Sequence, residues 1–394
     1  MTQAELTHAP TKGLGRGLTF AMAAATGLAV ANIYYAQPML GVISANFPAS
    51  DLVGLVPTAT QLGYALGLGL LVPLGDLIER RRLIMVQFLV LAAALGLAAI
   101  APTPILLLAA SLLIGMCATV AQQIVPFAAH LAAPEKRGAA VGTVMSGLLC
   151  GILFSRTLSG FVATHAGWRE MFWLGMPVAI LAALLMRAVL PESKGIASLH
   201  YGALLHSLAG LWRDLPALRV AAITQALLFA GFTSFWGILA FRLAEPDLGL
   251  GADVAGLFGV IGAVGIFAAP ISGRLADKIG SRRIILVGAL ISLASWAIFG
   301  LWPSLVGLIV GVVLLDFGIQ ASLISNQHMV YQLRPEARSR LNTIFMGTMF
   351  LGGAAGSGLA VLAWRFDGWT AVSLLSGGFA ALAVLLQLSI RKSA

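Results

Sequence analysis

The chain has 394 residues, of which 59% are hydrophobic and 10% charged, with a mean hydropathy of +0.95 and a net charge of +9. No soluble core of this length hides so much apolar surface, so a soluble globular fold is excluded. The basic excess is read as facing anionic lipid rather than nucleic acid.

Twelve apolar runs succeed one another. Six lie near 18–45, 52–75, 83–101, 104–130, 138–164 and 168–190, and six near 218–244, 252–276, 282–301, 304–333, 338–366 and 369–390. Each approaches or exceeds the roughly 20 residues that cross about 30 Å of hydrocarbon as a helix, and none has the period-two alternation of a barrel strand. An all-α membrane protein with twelve transmembrane helices is expected. The first run follows Lys12 and Arg16, but it is far longer than the about 7 to 15 residues of a secretory signal and has no convincing cleavage site, so it is read as retained. The expected divisions are a tail at 1–17, a six-helix bundle at 18–190, a linker at 191–217, a second bundle at 218–390 and a tail at 391–394.

The first run contains "ANIYYAQP", in which Asn32, Tyr35 and Gln37 precede Pro38. Between the second and third runs stands a charged knot, "PLGDLIERRRLIM", with Asp76, Arg80, Arg81 and Arg82. The fourth run carries Thr119, Gln122, Gln123 and Pro126. The fifth carries Arg156 within "CGILFSRTLSGF". Cys117 and Cys150, the only cysteines, lie inside apolar runs and read as packing residues; no metal-ligand spacing exists. In the linker, "SLHYGALLHSLAGLW" is amphipathic enough to lie on a membrane surface, or serves as a plain tether.

In the second half, the seventh run holds Gln225, Phe229 and Trp236. A second knot, "GRLADKIGSRR", separates the eighth and ninth runs with Gly273, Asp277, Lys278, Gly280, Arg282 and Arg283. The tenth holds Asp316, Gln320 and Gln327, which helical geometry places on one face. "GGAAGSG" gives the eleventh a smooth side for close helix approach.

Asp76 and Asp277 stand 201 residues apart, and two further pairs share that displacement: "PEKR" at Pro134 with "PEAR" at Pro335, and "GW" at Gly167 with "GW" at Gly368. Three separated anchors at one displacement mark a duplication into two six-helix halves, parallel because six crossings return the chain to its starting side. With the amino terminus cytoplasmic, 20 of the 24 Lys and Arg fall inside; only Arg156, Arg169, Arg242 and Arg365 do not. The positive-inside rule therefore puts both termini in the cytoplasm of a bacterial inner membrane.

Over nearly its whole length the chain resembles the major facilitator superfamily. Its signature between helices 2 and 3 is matched by the second knot at Gly273, Asp277, Lys278, Gly280, Arg282 and Arg283. In the first knot Val72, Leu77 and Glu79 depart from it and leave Asp76 with the arginines. The resemblance implies that these contacts latch the cytoplasmic gate; the plain alternative is that the arginines serve topology alone. It also implies that helices 1, 4, 7 and 10 line a cavity, where Asn32, Tyr35, Gln37, Thr119, Gln122, Gln123, Gln225, Phe229, Trp236, Gln320 and Gln327 meet substrate or bond helix to helix. Gly147, Gly151 and Gly160 resemble the helix-5 glycines of exporters, although Ile152 takes the place of the expected Pro. The Arg that many proton-coupled members carry in helix 4 is replaced by Ser111.

Arg156 and Asp316 are ionisable groups at membrane depth, which cost several kcal/mol unless they face a cavity or a partner. Helical rise sets them about 12 Å and about 18 Å, respectively, from the outer ends of their helices, close enough to share a layer. A change in their contact during a cycle would move a proton; a fixed ion pair, or an anchor for an anionic substrate, are the alternatives.

The expected function is export of small organic molecules by proton-coupled alternating access, with substrate, protons and the bilayer as partners, no cofactor and no metal, and a monomer as the working unit. Uptake of a sugar or organic anion uses the same parts in another order. An intramembrane enzyme or sensor is disfavoured, since the chain lacks a paired-His motif, Gly-x-Ser-x-Gly and a nucleotide loop.

Overall fold

A computed structural model describes residues 15–192, 201–267, 271, 272, 275 and 278–389. Gly273 and Asp277 of the second knot lie outside the described residues, as does the side chain of Asp76. Among the described residues the chain is helical, with no strand.

The first six spans are α1 (Arg16–Asn46), α2 (Asp51–Gly75), α3 (Arg80–Ala99), α4 (Pro104–Leu131), α5 (Arg137–His165) and α6 (Trp168–Val189). A linker helix (Tyr201–Asp214) leads to α7 (Pro216–Leu243), α8 (Ala252–Gly265), α9 (Ser281–Leu301) and α10 (Leu305–Leu333). The helical stretch Arg338–Ser389 breaks at Asp367 and Gly368 into α11 (338–366) and α12 (369–389). Among the described residues ten stretches are long and apolar enough to cross a membrane, the last of them containing both α11 and α12; α8 is a shorter apolar helix. The twelve expected runs are thus all helical where described.

Two helices of the first half are interrupted. α1 consists of Arg16–Ala31 and Ala36–Asn46, because Pro38 lacks an N–H and its ring crowds the carbonyl of Tyr34. Asn32 Nδ2 donates to the Leu28 carbonyl at 2.6 Å, which gives the backbone at the break a local partner. α4 consists of Pro104–Ala118 and Ala121–Leu131, with Thr119 Oγ1 donating to the Met116 carbonyl at 2.6 Å at the junction and Pro126 beyond it. Their counterparts α7 and α10 run unbroken for 28 and 29 residues.

Small residues set the packing, since lipid tails offer no hydrophobic drive for helices to associate. A Cβ on Gly63 of α2 would collide with the Leu112 carbonyl of α4, and one on Gly115 of α4 with the Thr60 carbonyl of α2. In the first bundle Gly151 of α5 lies against Gly27 of α1; in the second, Gly352 of α11 lies against Ala226 of α7. Gly151 and Gly352 are again 201 residues apart. The outer surface is apolar, with Phe154, Phe161, Leu181 and Leu374 exposed where hydrocarbon surrounds the bundle.

The two bundles meet in the halves of their helices far from the termini. There Thr157 Oγ1 of α5 donates to the Gly256 carbonyl of α8 at 3.2 Å, and Thr58 of α2 donates to Ser357 of α11 at 3.1 Å. The rings of Tyr64 and Phe350 lie 4.2 Å apart between centroids. Arg365 adds an exposed ion pair to Asp51 at 3.4 Å. At the opposite end, which carries the termini, the linker helix spans both bundles, and Tyr201 donates to the Leu70 carbonyl at 2.8 Å.

The two "GW" turns are built alike. Gly167 and Gly368 have φ of 120° and 52°, a region that costs a side chain strain. Each turn places a tryptophan whose indole nitrogen is bonded: Trp168 to Asn46 at 2.8 Å and Trp369 to the Phe299 carbonyl at 2.8 Å. Gly368→Ala is expected to destabilise the protein by about 1–3 kcal/mol, seen as a lower unfolding temperature in detergent. Gly378→Ala, in helical backbone with open space around it, is expected to leave that temperature level or raise it.

Candidate functional site

The break in α1 turns Tyr34 and Gln37 toward α5, where Arg156 is only 3% exposed. Gln37 Oε1 accepts from Arg156 Nε at 2.9 Å. The guanidinium lies over the Tyr34 ring, 4.4 Å from its centroid, and over the Trp236 ring, 3.9 Å from its centroid. A cation of the first half is therefore held between an aromatic ring of its own half and one of the other. The negative faces of the two rings replace part of its lost hydration, each stack being worth about 2 kcal/mol when water is absent.

Asp316 of α10 is 8% exposed and makes no ion pair within 4.0 Å with Arg156. Both residues lie on one stripe of α8. A Cβ on Gly259 would meet Arg156 Cβ at 3.0 Å and Cδ at 3.5 Å, and one on Gly262 would meet Trp236 Cζ2 at 3.1 Å and Asp316 Cγ at 3.3 Å. Gly256 and Gly265 continue the stripe, under the Arg156 backbone and Asp316 Cβ respectively. Side chains at these four positions would drive the ionisable groups off the helix. Arg156 Nη2, Trp236 Nε1 and Asp316 Oδ2 are buried there without a protein partner.

The other polar residues expected in the cavity divide. Asn32 is bonded to its own helix, and its Oδ1 faces Gly175 of α6. Tyr35 is buried beside the break. Thr119 packs on Gly67 of α2. Gln122 donates to the Tyr64 hydroxyl at 3.0 Å, and Gln123 donates to Gln87 at 2.6 Å and to the Leu71 carbonyl at 3.3 Å. Gln225 accepts from Asn326 at 3.2 Å, and Phe229 stacks on Phe232. Gln320 is half-buried, and Gln327 donates to Asn342 of α11 at 3.4 Å, so that Gln327 is engaged by another helix than the one Asp316 meets. Of these residues, Gln37 and Trp236 gather around Arg156; the remainder bond helix to helix, line the terminal-end cavity or pack aside. Tyr34 and the α8 glycines belong to the centre and escaped the sequence reading. The three-residue spacing of Gly256, Gly259, Gly262 and Gly265 is the signal that marks them.

Arg80 Nε donates to the Gly75 carbonyl at 3.0 Å and its guanidinium lies 5.7 Å from the Phe127 ring. Arg81 forms an exposed pair with Glu192 at 3.7 Å. Arg282 donates to the Gln387 carbonyl at 3.1 Å. Gly280, with φ of 90°, starts α9 beside exposed Lys278; Arg283 is exposed on its first turn. At the same end Arg80, Gln122 and Gln123 of the first half face Ser339, Arg340 and Thr343 of the second across a cavity of about 40 Å³. At the far end Arg242 clasps Asp247 at 2.7 Å, Glu245 at 2.8 Å and the Pro303 carbonyl at 2.6 Å. Its hydrogen bonds hold the Asp247 carboxyl below the usual carboxylate range.

The family model described as "Major Facilitator Superfamily" matches residues 20–289 and 221–393, which together span nearly the whole chain. The chain belongs to the major facilitator superfamily. It is a multi-pass membrane transporter of that class. Among its superfamily relatives, the uncharacterized transporter YgaY of Escherichia coli O157:H7 is 42% identical over 379 residues, 96% of each chain. The probable transporter SCO4007 of Streptomyces coelicolor is 32% identical over 92% of this chain and 84% of its own. The fold is shared with a mutant form of the nucleoside transporter NupG, at a TM-score of 0.74 and 13% identity over 94% of this chain and 100% of that one. A D-xylose-proton symporter superposes at a TM-score of 0.72 and 15% identity over 94% and 97%.

Trp236→Leu removes the one aromatic face that Arg156 finds in the opposite half. Loss of about 2 kcal/mol from the closed far end is expected to raise the population of its open form about 30-fold. The check is labelling of a cysteine at buried Ser357 by an impermeant maleimide, in a chain without Cys117 and Cys150.

Proposed function

We propose that this transporter exports small organic molecules across a bacterial inner membrane by alternating access driven by inward proton flow, with Asp316 as the proton-carrying group and Arg156 as its countercharge. The observation that carries this reading is the placement of both groups, from opposite halves, on one glycine stripe of α8 without an ion pair between them. Rocking of the halves changes the distance between the two charges. A carboxyl whose cation approaches and retreats binds and releases a proton in step with access.

The excess of Lys and Arg in the loops at the terminal end supports a cytoplasmic location for that end, so the closed far end faces outward. Arg80, Arg81, Lys278, Gly280, Arg282 and Arg283, together with Asp76, Gly273 and Asp277, are assigned to the cytoplasmic gate. Arg80 supports this by lining a small cavity that both halves share there. Gln122, Gln123, Gln320 and Trp236 are assigned to the substrate path. The protein works as a monomer without cofactor or metal.

Uptake by proton symport is the second reading. Its support is the 28% identity to a D-xylose transporter of Levilactobacillus brevis over 60% of this chain, and the fold shared with a D-xylose-proton symporter.

In liposomes with an imposed pH gradient and a panel of labelled solutes, Asp316→Asn is expected to abolish gradient-driven movement while substrate exchange persists. Exchange is measured at saturating solute, so that weaker binding does not register; equal loss of both there would reassign Asp316 to folding. Arg156→Ala is expected to abolish gradient-driven movement as well and, in exchange without a gradient, to reduce movement of solutes bearing a carboxylate by at least tenfold, a loss of about 1.5–3 kcal/mol for a charge-assisted bond, while sparing exchange of neutral ones. Indifference to solute charge would remove Arg156 from the substrate's path.

A further inference from the structure

The buried centre carries a charge pattern more specific than a proton relay requires. We infer that the site formed by Arg156, Trp236 and Asp316 binds a zwitterion, a small molecule with both a carboxylate and a protonated amine, of which the α-amino acids are the simplest class. This deepens the transport reading above and rests on it.

Three observations carry the assignment. Arg156 and Asp316 are both more than nine-tenths buried, yet each keeps one charged terminus, Nη2 and Oδ2, without a protein partner. Two opposite charges in low dielectric are costly apart, and collapse into a pair removes that cost unless something holds them separate. Here the separation is built in. Gln37 takes Nε of Arg156 at 2.9 Å, the guanidinium lies over the rings of Tyr34 and Trp236, and the Trp236 edge lies beside Asp316 over Gly262.

What remains without a protein partner is Nη2 of the guanidinium and Oδ2 of the carboxylate, on groups packed against α8 at positions one turn apart, about 4.5 Å along its axis. A carboxylate binds an arginine edge in the guanidinium plane, the geometry that the two ring contacts leave to Nη2. The free indole Nε1 of Trp236 adds a second donor for the same anionic end. A protonated amine supplies donors to Asp316 Oδ2. A ligand with both groups on neighbouring carbons satisfies three buried orphans at once and leaves no net charge in the membrane. A ligand with either group alone leaves the opposite protein charge uncompensated.

The test is a binding panel on the purified full chain in detergent, read by thermal shift and by competition: L-phenylalanine and glycine as zwitterions, phenethylamine and 3-phenylpropanoate as the two halves of the first, and D-xylose as a neutral sugar. At least one zwitterion is expected to bind about tenfold or more tighter than either half-molecule, since each lost charge-assisted bond costs about 1.5–3 kcal/mol. Arg156→Lys is expected to weaken 3-phenylpropanoate and L-phenylalanine together and leave phenethylamine unchanged; Asp316→Asn is expected to weaken phenethylamine and L-phenylalanine and leave 3-phenylpropanoate unchanged. Wild-type protein that binds a half-molecule or D-xylose as tightly as the zwitterions, or binds none of the five, overturns the assignment without recourse to any variant. Proton-driven export fails on a different result, the absence of gradient-driven movement of any solute, so the two failures are distinguishable.

Discussion

A guanidinium buried between two aromatic rings is the interaction on which the centre of this transporter depends. An arginine at that depth is tolerated only if its hydration is replaced, and the rings of Tyr34 and Trp236 together with Gln37 at Nε replace part of it. Because the rings come from opposite halves, the same contact that solvates the charge also ties the halves together. Electrostatic relief and closure of the far end are therefore one event. The hydroxyl contacts of Thr58 and Thr157 reinforce the closure but carry no net charge, and the Arg365–Asp51 pair is exposed and screened.

The α8 glycines make that contact geometrically possible. Arg156 reaches across from α5 only because positions 256 and 259 present bare backbone, and Asp316 lies against the helix only because 262 and 265 do the same. A stripe of four small residues thus brings a cation and an anion of opposite halves to one surface. Between α2 and α4 glycine serves close approach alone.

Much of this architecture was legible in the residues. Run length and composition gave the helices, because crossing hydrocarbon fixes both; the 201-residue displacement gave the halves, because Gly167 and Gly368 both take a positive φ at corresponding turns. Arg156 and Asp316 stood out because charge at depth is expensive. The partners did not. Tyr34 and Tyr35 are adjacent and chemically alike, and only the break after Ala31 decides which one faces Arg156. Gln327 shares a helical face with Asp316 by spacing, yet bonds to Asn342, since a neighbouring helix intervenes that no single-helix projection contains. Asn32 likewise lies toward α6 rather than the centre.

The interruptions of α1 and α4, set against continuous α7 and α10, make the two halves mechanically unequal despite their common plan. An interrupted helix bends at low cost where its hydrogen-bond ladder is missing; an uninterrupted one transmits force along its length. The amino-terminal half is thus the compliant member and the carboxy-terminal half the lever. The point of bending, at Tyr34, is also the point that touches the buried cation. Local flexure in one bundle can thereby loosen the grip on Arg156 before the other bundle has moved.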